Sequence, residues 1–111
     1  MYKEMTYFCS IDEQEKLWKM SEEFGVKVKV VLEFCLHYKY ELKSKQSIRS
    51  SPNKKPKGRC VNFTADEKQF NLLIYDDNKK EMISKAIADT YKDWQTGKMN
   101  KIILKSYFPH L

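Results

Sequence analysis

At 111 residues, 41% hydrophobic and 14% aromatic, the chain is too apolar for a disordered segment and too short to carry both a stable scaffold and a deep catalytic cleft. With only three Gly and three Pro, it is a poor candidate for a many-turned all-β fold and a good one for helices. The net charge of +6 is local: residues 43–59 hold Lys43, Lys45, Arg49, Lys54, Lys55, Lys57 and Arg59 and no acid, while the remainder has 14 basic and 15 acidic residues. Such a block suits either a polyanionic partner or a solvated linker.

The first element, Met5-Thr6-Tyr7-Phe8-Cys9, is short, aromatic and β-prone. Ser10-Ile11-Asp12-Glu13 then has the form of an S-x-x-E capping box, in which the hydroxyl and the carboxylate each satisfy an orphan N–H. Leu17, Met20 and Phe24 follow at helical spacing, and Gly25 reads as the stop. A second helix carries Val30, Val31, Phe34, Cys35, Tyr38 and Leu42 on one stripe. Residues 43–57, rich in Ser, Pro and Lys, break both periodicities and read as a basic linker.

Beyond the linker the pattern recurs. Arg59-Cys60-Val61-Asn62-Phe63 is β-prone, and Thr64-Ala65-Asp66-Glu67 has the form of a second capping box. Phe70, Leu73 and Ile74 give an apolar helical face, and Asp76-Asp77-Asn78 a turn, with Asn78 suited to cap the next helix. Met82, Ile83, Ala86, Ile87 and Trp94 form the last stripe, ended by Gly97. Ser10 and Thr64 stand 54 positions apart, and the second stripes match at 52, so two units of one design are predicted by pattern and not by identity. The units span residues 1–42 and 58–97, with a tail over 98–111. Its apolar run, residues 99–108, either closes the core as a strand or short helix, the preferred reading, or docks another protein.

No apolar run approaches the roughly 18–20 residues of a membrane span, and Met1-Tyr2-Lys3-Glu4-Met5 lacks the apolar stretch of a signal peptide. Three cysteines without CxxC spacing predict free thiols in a reducing, cytoplasmic compartment. His37 and His110 have no second ligand nearby, so no metal or other cofactor is expected. The absence of a triad, a paired-carboxylate set or a phosphate-binding glycine loop argues against an enzyme.

A short strand, a capped helix, a turn and a helix with the stripe of Glu81-Met82-Ile83-Ser84-Lys85-Ala86-Ile87 resemble the ribbon-helix-helix family. The first unit is similar in Cys9-Ser10-Ile11-Asp12-Glu13 and in Glu22-Glu23-Phe24-Gly25-Val26. The tandem arrangement resembles TraY-type accessory proteins of conjugative plasmids. The resemblance implies an α+β, mainly helical fold in which the two units form an intramolecular pseudo-dimer with a two-stranded antiparallel ribbon. It implies sequence-specific binding of double-stranded DNA through that ribbon in the major groove, in a transcriptional regulator or a relaxosome accessory protein. A monomer or weak homo-oligomer is expected, with a relaxase, toxin or other protein as a further partner of residues 99–108. The alternatives are a protein-binding antitoxin or inhibitor using that tail, and a small RNA-binding protein using the basic linker.

Strand alternation, with the residue before the helix cap facing inward as the resemblance implies, turns Met5, Tyr7, Cys9, Val61 and Phe63 to the core and Glu4, Thr6, Phe8, Gly58, Cys60 and Asn62 outward. Thr6, Phe8 and Asn62 then face the bases, whereas a slip of one residue would present Arg59 with Val61, Tyr7 and Met5. Phosphate contacts are expected from the starts of the second helices, Lys27 and Lys29 in one unit and Asn78, Lys79 and Lys80 in the other. The linker would add Lys54, Lys55 and Lys57.

Overall fold

Residues 2–44, 58–73 and 78–109 are described by a computed structural model. In chain order the elements are β1 (Tyr2–Phe8), α1 (Ile11–Phe24), α2 (Val28–Tyr40), β2 (Cys60–Asp66), α3 (Glu67–Leu73), α4 (Lys79–Gln95) and α5 (Lys101–Tyr107). The fold is α+β and mainly helical, with one two-stranded sheet in which β1 and β2 run antiparallel.

Local chemistry sets the first unit as its sequence predicts. The Glu13 N–H donates to Ser10 Oγ at 3.1 Å, and the Ser10 N–H donates to Glu13 Oε1 at 2.8 Å, completing the capping box of α1. Gly25 ends α1 in the left-handed region at φ 68°, where a Cβ would be strained. Helix α2 is the centre of the molecule. Val28, Val31, Leu32, Phe34, Cys35 and Leu36 are all buried, and α2 packs against α1, β2, α4 and α5. A helix apolar on nearly every side is one surrounded by protein, so the single stripe read from the sequence understates its burial.

The second unit departs from the predicted capping. Strand β2 continues two residues past Thr64, and α3 begins at Glu67. Its cap is Asp66, whose Oδ1 accepts from the Gln69 N–H at 3.0 Å. Thr64 turns inward instead, and its N–H and hydroxyl both donate to Glu33 Oε2 on α2, each at 2.7 Å. A buried carboxylate is a stronger acceptor than the solvent-exposed alternatives, so a contact across the fold displaces the local motif. The strands accordingly run 2–8 and 60–66, beyond the β-prone runs 5–9 and 59–63, and the residue capping α3 is Asp66, 56 positions after Ser10. Asn78 precedes α4 but its side chain makes no cap hydrogen bond there. Gly97, at φ 82°, follows the end of α4. The Leu73 side chain and residues 74–77, including Ile74, Asp76 and Asp77 of the predicted face and turn, lie outside the described residues.

The C-terminal run forms α5, capped by Asn100 Oδ1, which accepts from the N–H groups of Ile102 and Ile103. Met99, Leu104 and Phe108 are buried in the common core, and the Tyr107 and Phe108 rings pack on Phe34 and His37. The tail therefore closes the core as a short helix. Phe34, Tyr38 and Trp94 also belong to this packing: Tyr38 donates to Asp93 at 2.8 Å, and Trp94 lies edge-on to Phe24. Cys9, Cys35 and Cys60 are free thiols. Among the described residues no helix is long and apolar enough to cross a membrane.

Candidate nucleic-acid interface

The outer face of the β1–β2 ribbon is built by simple alternation. Tyr7, Val61 and Phe63 are buried and Met5 is half-buried, while Glu4, Thr6, Phe8, Cys60 and Asn62 are exposed. The pairing places Glu4 opposite Thr64, Thr6 opposite Asn62 and Phe8 opposite Cys60. The one-residue slip that would turn Tyr7 and Val61 outward does not occur. Gly58 lies before β2, and its carbonyl accepts from Gln14 Nε2 at 2.9 Å, which ties the entry of the strand to α1.

At the centre of this face the Thr6 hydroxyl donates to Asn62 Oδ1 at 2.7 Å. The bond orients the Asn62 amide while leaving one lone pair on its oxygen and both N–H donors for a ligand. Toward one end, the Arg59 guanidinium stacks over the Phe8 ring, 4.5 Å from its centroid. Arg59 thus reaches the outer face although its backbone pairs with inward-facing Cys9, whose N–H donates to the Arg59 carbonyl. Sequence alternation treats Arg59 and Phe8 as competitors for that face; the length of the arginine side chain lets both occupy it. Toward the other end lie Glu4 and, beyond it, the exposed Lys3 and Tyr2.

Beneath the ribbon, two buried carboxylates fix its geometry, and neither is singled out by sequence motifs as more than a cap or a helix residue. Tyr7 donates to both oxygens of Glu13, at 3.0 and 2.8 Å, joining β1 to α1. Burial pushes Glu13 up, but hydrogen bonds from the Ser10 backbone, Tyr7 and Ser84 outweigh it and hold Glu13 below the ordinary carboxylate range. Burial and the Glu13 carboxylate push the Tyr7 phenol up. For Glu33, burial prevails over its bonds to Thr64 and the Lys29 charge, and its carboxyl is raised. Burial also pushes the Cys9 thiol up to about 12, in keeping with its place in the core.

Of the predicted phosphate contacts, Lys79 is brought to the ribbon: its Nζ donates to the Thr6 carbonyl at 3.4 Å. With Lys80, Thr6, Tyr7 and Phe8 it lines an open hollow of about 200 Å³ between the start of α4 and β1. Asn78 stands immediately before that helix. Lys27 is exposed at the N-cap of α2, where no side chain caps the helix, and Lys29 is half-buried with its charge acting on Glu33. Lys54, Lys55 and Lys57 lie outside the described residues. No group of three His, Cys, Asp or Glu able to hold a metal ion occurs among the described residues. The chain matches no family model, no curated protein and no solved structure.

Proposed function

We propose that the chain is a non-enzymatic protein that binds double-stranded DNA sequence-specifically, laying the β1–β2 ribbon in the major groove. In this reading residues 1–42 and 58–97 are two ribbon-helix-helix units paired within one polypeptide, and the role is that of a transcriptional regulator or a relaxosome accessory protein. The observation that carries it is the outer ribbon face: a solvated, two-stranded surface with a polar Thr6–Asn62 pair at its centre and the Lys79–Lys80 start of α4 beside it. A two-stranded ribbon fits the major groove, and Asn and Thr side chains match base-edge donors and acceptors. Two helix starts bearing lysines, at α2 and α4, suit phosphates on either side. The basic block of residues 43–59 adds sequence-independent attraction.

Against the tail-docking alternative, Met99, Leu104 and Phe108 are buried in the core, and among the described residues of the tail Ile102 is the large aliphatic that is strongly exposed, at 78%. The test is a fluorescence-anisotropy titration of the full chain with random-sequence duplex, single-stranded DNA and duplex RNA at several salt concentrations. Duplex DNA is expected to bind tightest, with log affinity falling linearly in log salt by about 0.9 per phosphate contact. Equal or tighter binding of single strands or RNA, or binding indifferent to salt, contradicts the proposal.

A further inference from the structure

We infer that the stacked Phe8–Arg59 pair is a guanine reader at one end of the ribbon only, so that the preferred duplex has unlike halves. The inference rests on the DNA-binding reading and specifies one base within it. A guanidinium is planar and presents a rigid fork of donors, which matches O6 and N7 of guanine in the major groove. Such a fork discriminates well only if its plane is fixed in advance, because an arginine free to rotate loses side-chain entropy on binding. Here an aromatic ring supports the guanidinium. The Arg59 guanidinium lies over the Phe8 ring at 4.5 Å, and among the described residues it makes no ion pair, so its donor edge remains available. Phe8 keeps 53% of its surface exposed even beneath Arg59, which leaves ring edge to meet the apolar rim of a neighbouring base, the thymine methyl above all.

The other end of the ribbon exposes Tyr2 and Lys3, but among the described residues no cation stacks on a ring there. With Asp66 as the counterpart of Ser10, the position corresponding to Phe8 is Thr64, which is 8% exposed and bonded to Glu33. The outward residue across from it is Glu4, an acid with no guanine affinity. One end therefore offers an arginine on an aromatic support, whereas the other offers Glu4 with Tyr2 and Lys3, the residue 56 positions before Arg59, and no cation over a ring among the described residues. A homodimer cannot present this difference, because its two ends are identical by symmetry.

The test selects preferred duplexes from a random library with the full chain, then titrates the best duplex and a random duplex with wild type, Arg59→Lys and Phe8→Leu. The best duplex is also made with 7-deazaguanine, which lacks the N7 acceptor, at each guanine of the site in turn. Wild type is expected to select a guanine in one half, and its 7-deaza replacement to weaken binding by roughly tenfold, within the range of a bidentate contact. Arg59→Lys keeps the charge and removes the fork, so it should lose a similar factor on the selected duplex, little on the random one, and be insensitive to the 7-deaza change. Phe8→Leu, which removes the support, should show a partial loss with the same pattern. If specific binding survives but no guanine is sensitive, or Arg59→Lys weakens both duplexes equally, Arg59 is a phosphate contact and the inference falls while DNA binding stands. If no duplex is preferred over random, both fall together.

Discussion

Glu13 and Glu33 are buried carboxylates on successive helices, pushed in opposite directions by their surroundings. Glu13, held low by three donors, contributes stability at neutral pH that is lost as pH falls through its lowered value. Glu33, raised by burial, binds its proton more tightly in the folded state. Its contribution is present in acid and is lost as pH rises from the ordinary carboxylate value of 4.5 through the raised one. Glu33→Gln keeps an acceptor for Thr64 and removes the charge. Its stability relative to wild type should therefore grow between acid and neutral pH in urea denaturation; a difference that shrinks over that range contradicts the assignment. Glu33→Ala should instead cost about 1–3 kcal/mol, because it strips the acceptor from two donors beneath the ribbon. Glu33 was poorly legible in the sequence because the partner that explains it, Thr64, lies 31 residues away. Its one local trace is an acid inside the apolar run from Val30 to Leu36.

The elements were legible where their causes are local. The Ser10–Glu13 box, the Gly25 stop, and the strand faces of Met5, Tyr7, Val61 and Phe63 all follow from neighbours within four positions or from alternation. The second box has the same S/T-x-x-E spacing yet does not form, because Thr64 finds Glu33 and Asp66 takes over the cap. A motif specifies what a segment can do alone, and tertiary contacts decide whether it does. The tail shows the converse: its apolar density is evident in sequence, and packing against α2 settles its use. Phe108, fully buried against Phe34 and His37, should cost about 3–5 kcal/mol when replaced by Ala. Ile102→Ser, on the exposed side of the same helix, should change stability by less than about 0.5 kcal/mol. Equal effects of the two in chemical denaturation would mean that α5 is not part of the core.

For the whole molecule, one hydrophobic core takes side chains from both halves of the chain, with α2 and α4 packed together and the ribbon pairing the first strand with the second. The halves are not copies: α1 has 14 residues, whereas the described α3 has seven, and the ribbon runs from Tyr2, Lys3 and Glu4 at one end to the Phe8–Arg59 contact at the other. Under the proposed reading, that difference between the ends is what a single chain gains over a symmetric dimer; it was only half legible, since alternation finds the outward residues but not the reach of Arg59. The centre of the face, the Thr6–Asn62 pair, is where the proposed function is most exposed to refutation. The deciding measurement is the affinity of wild type and Asn62→Ala for the selected duplex and for random duplex under one salt condition. The account predicts a loss of about 1–3 kcal/mol on the selected duplex and little change on the random one, as for a contact to a base edge. Equal affinities on both duplexes for wild type, or an Asn62→Ala variant that still binds the selected duplex as tightly as wild type, would contradict it.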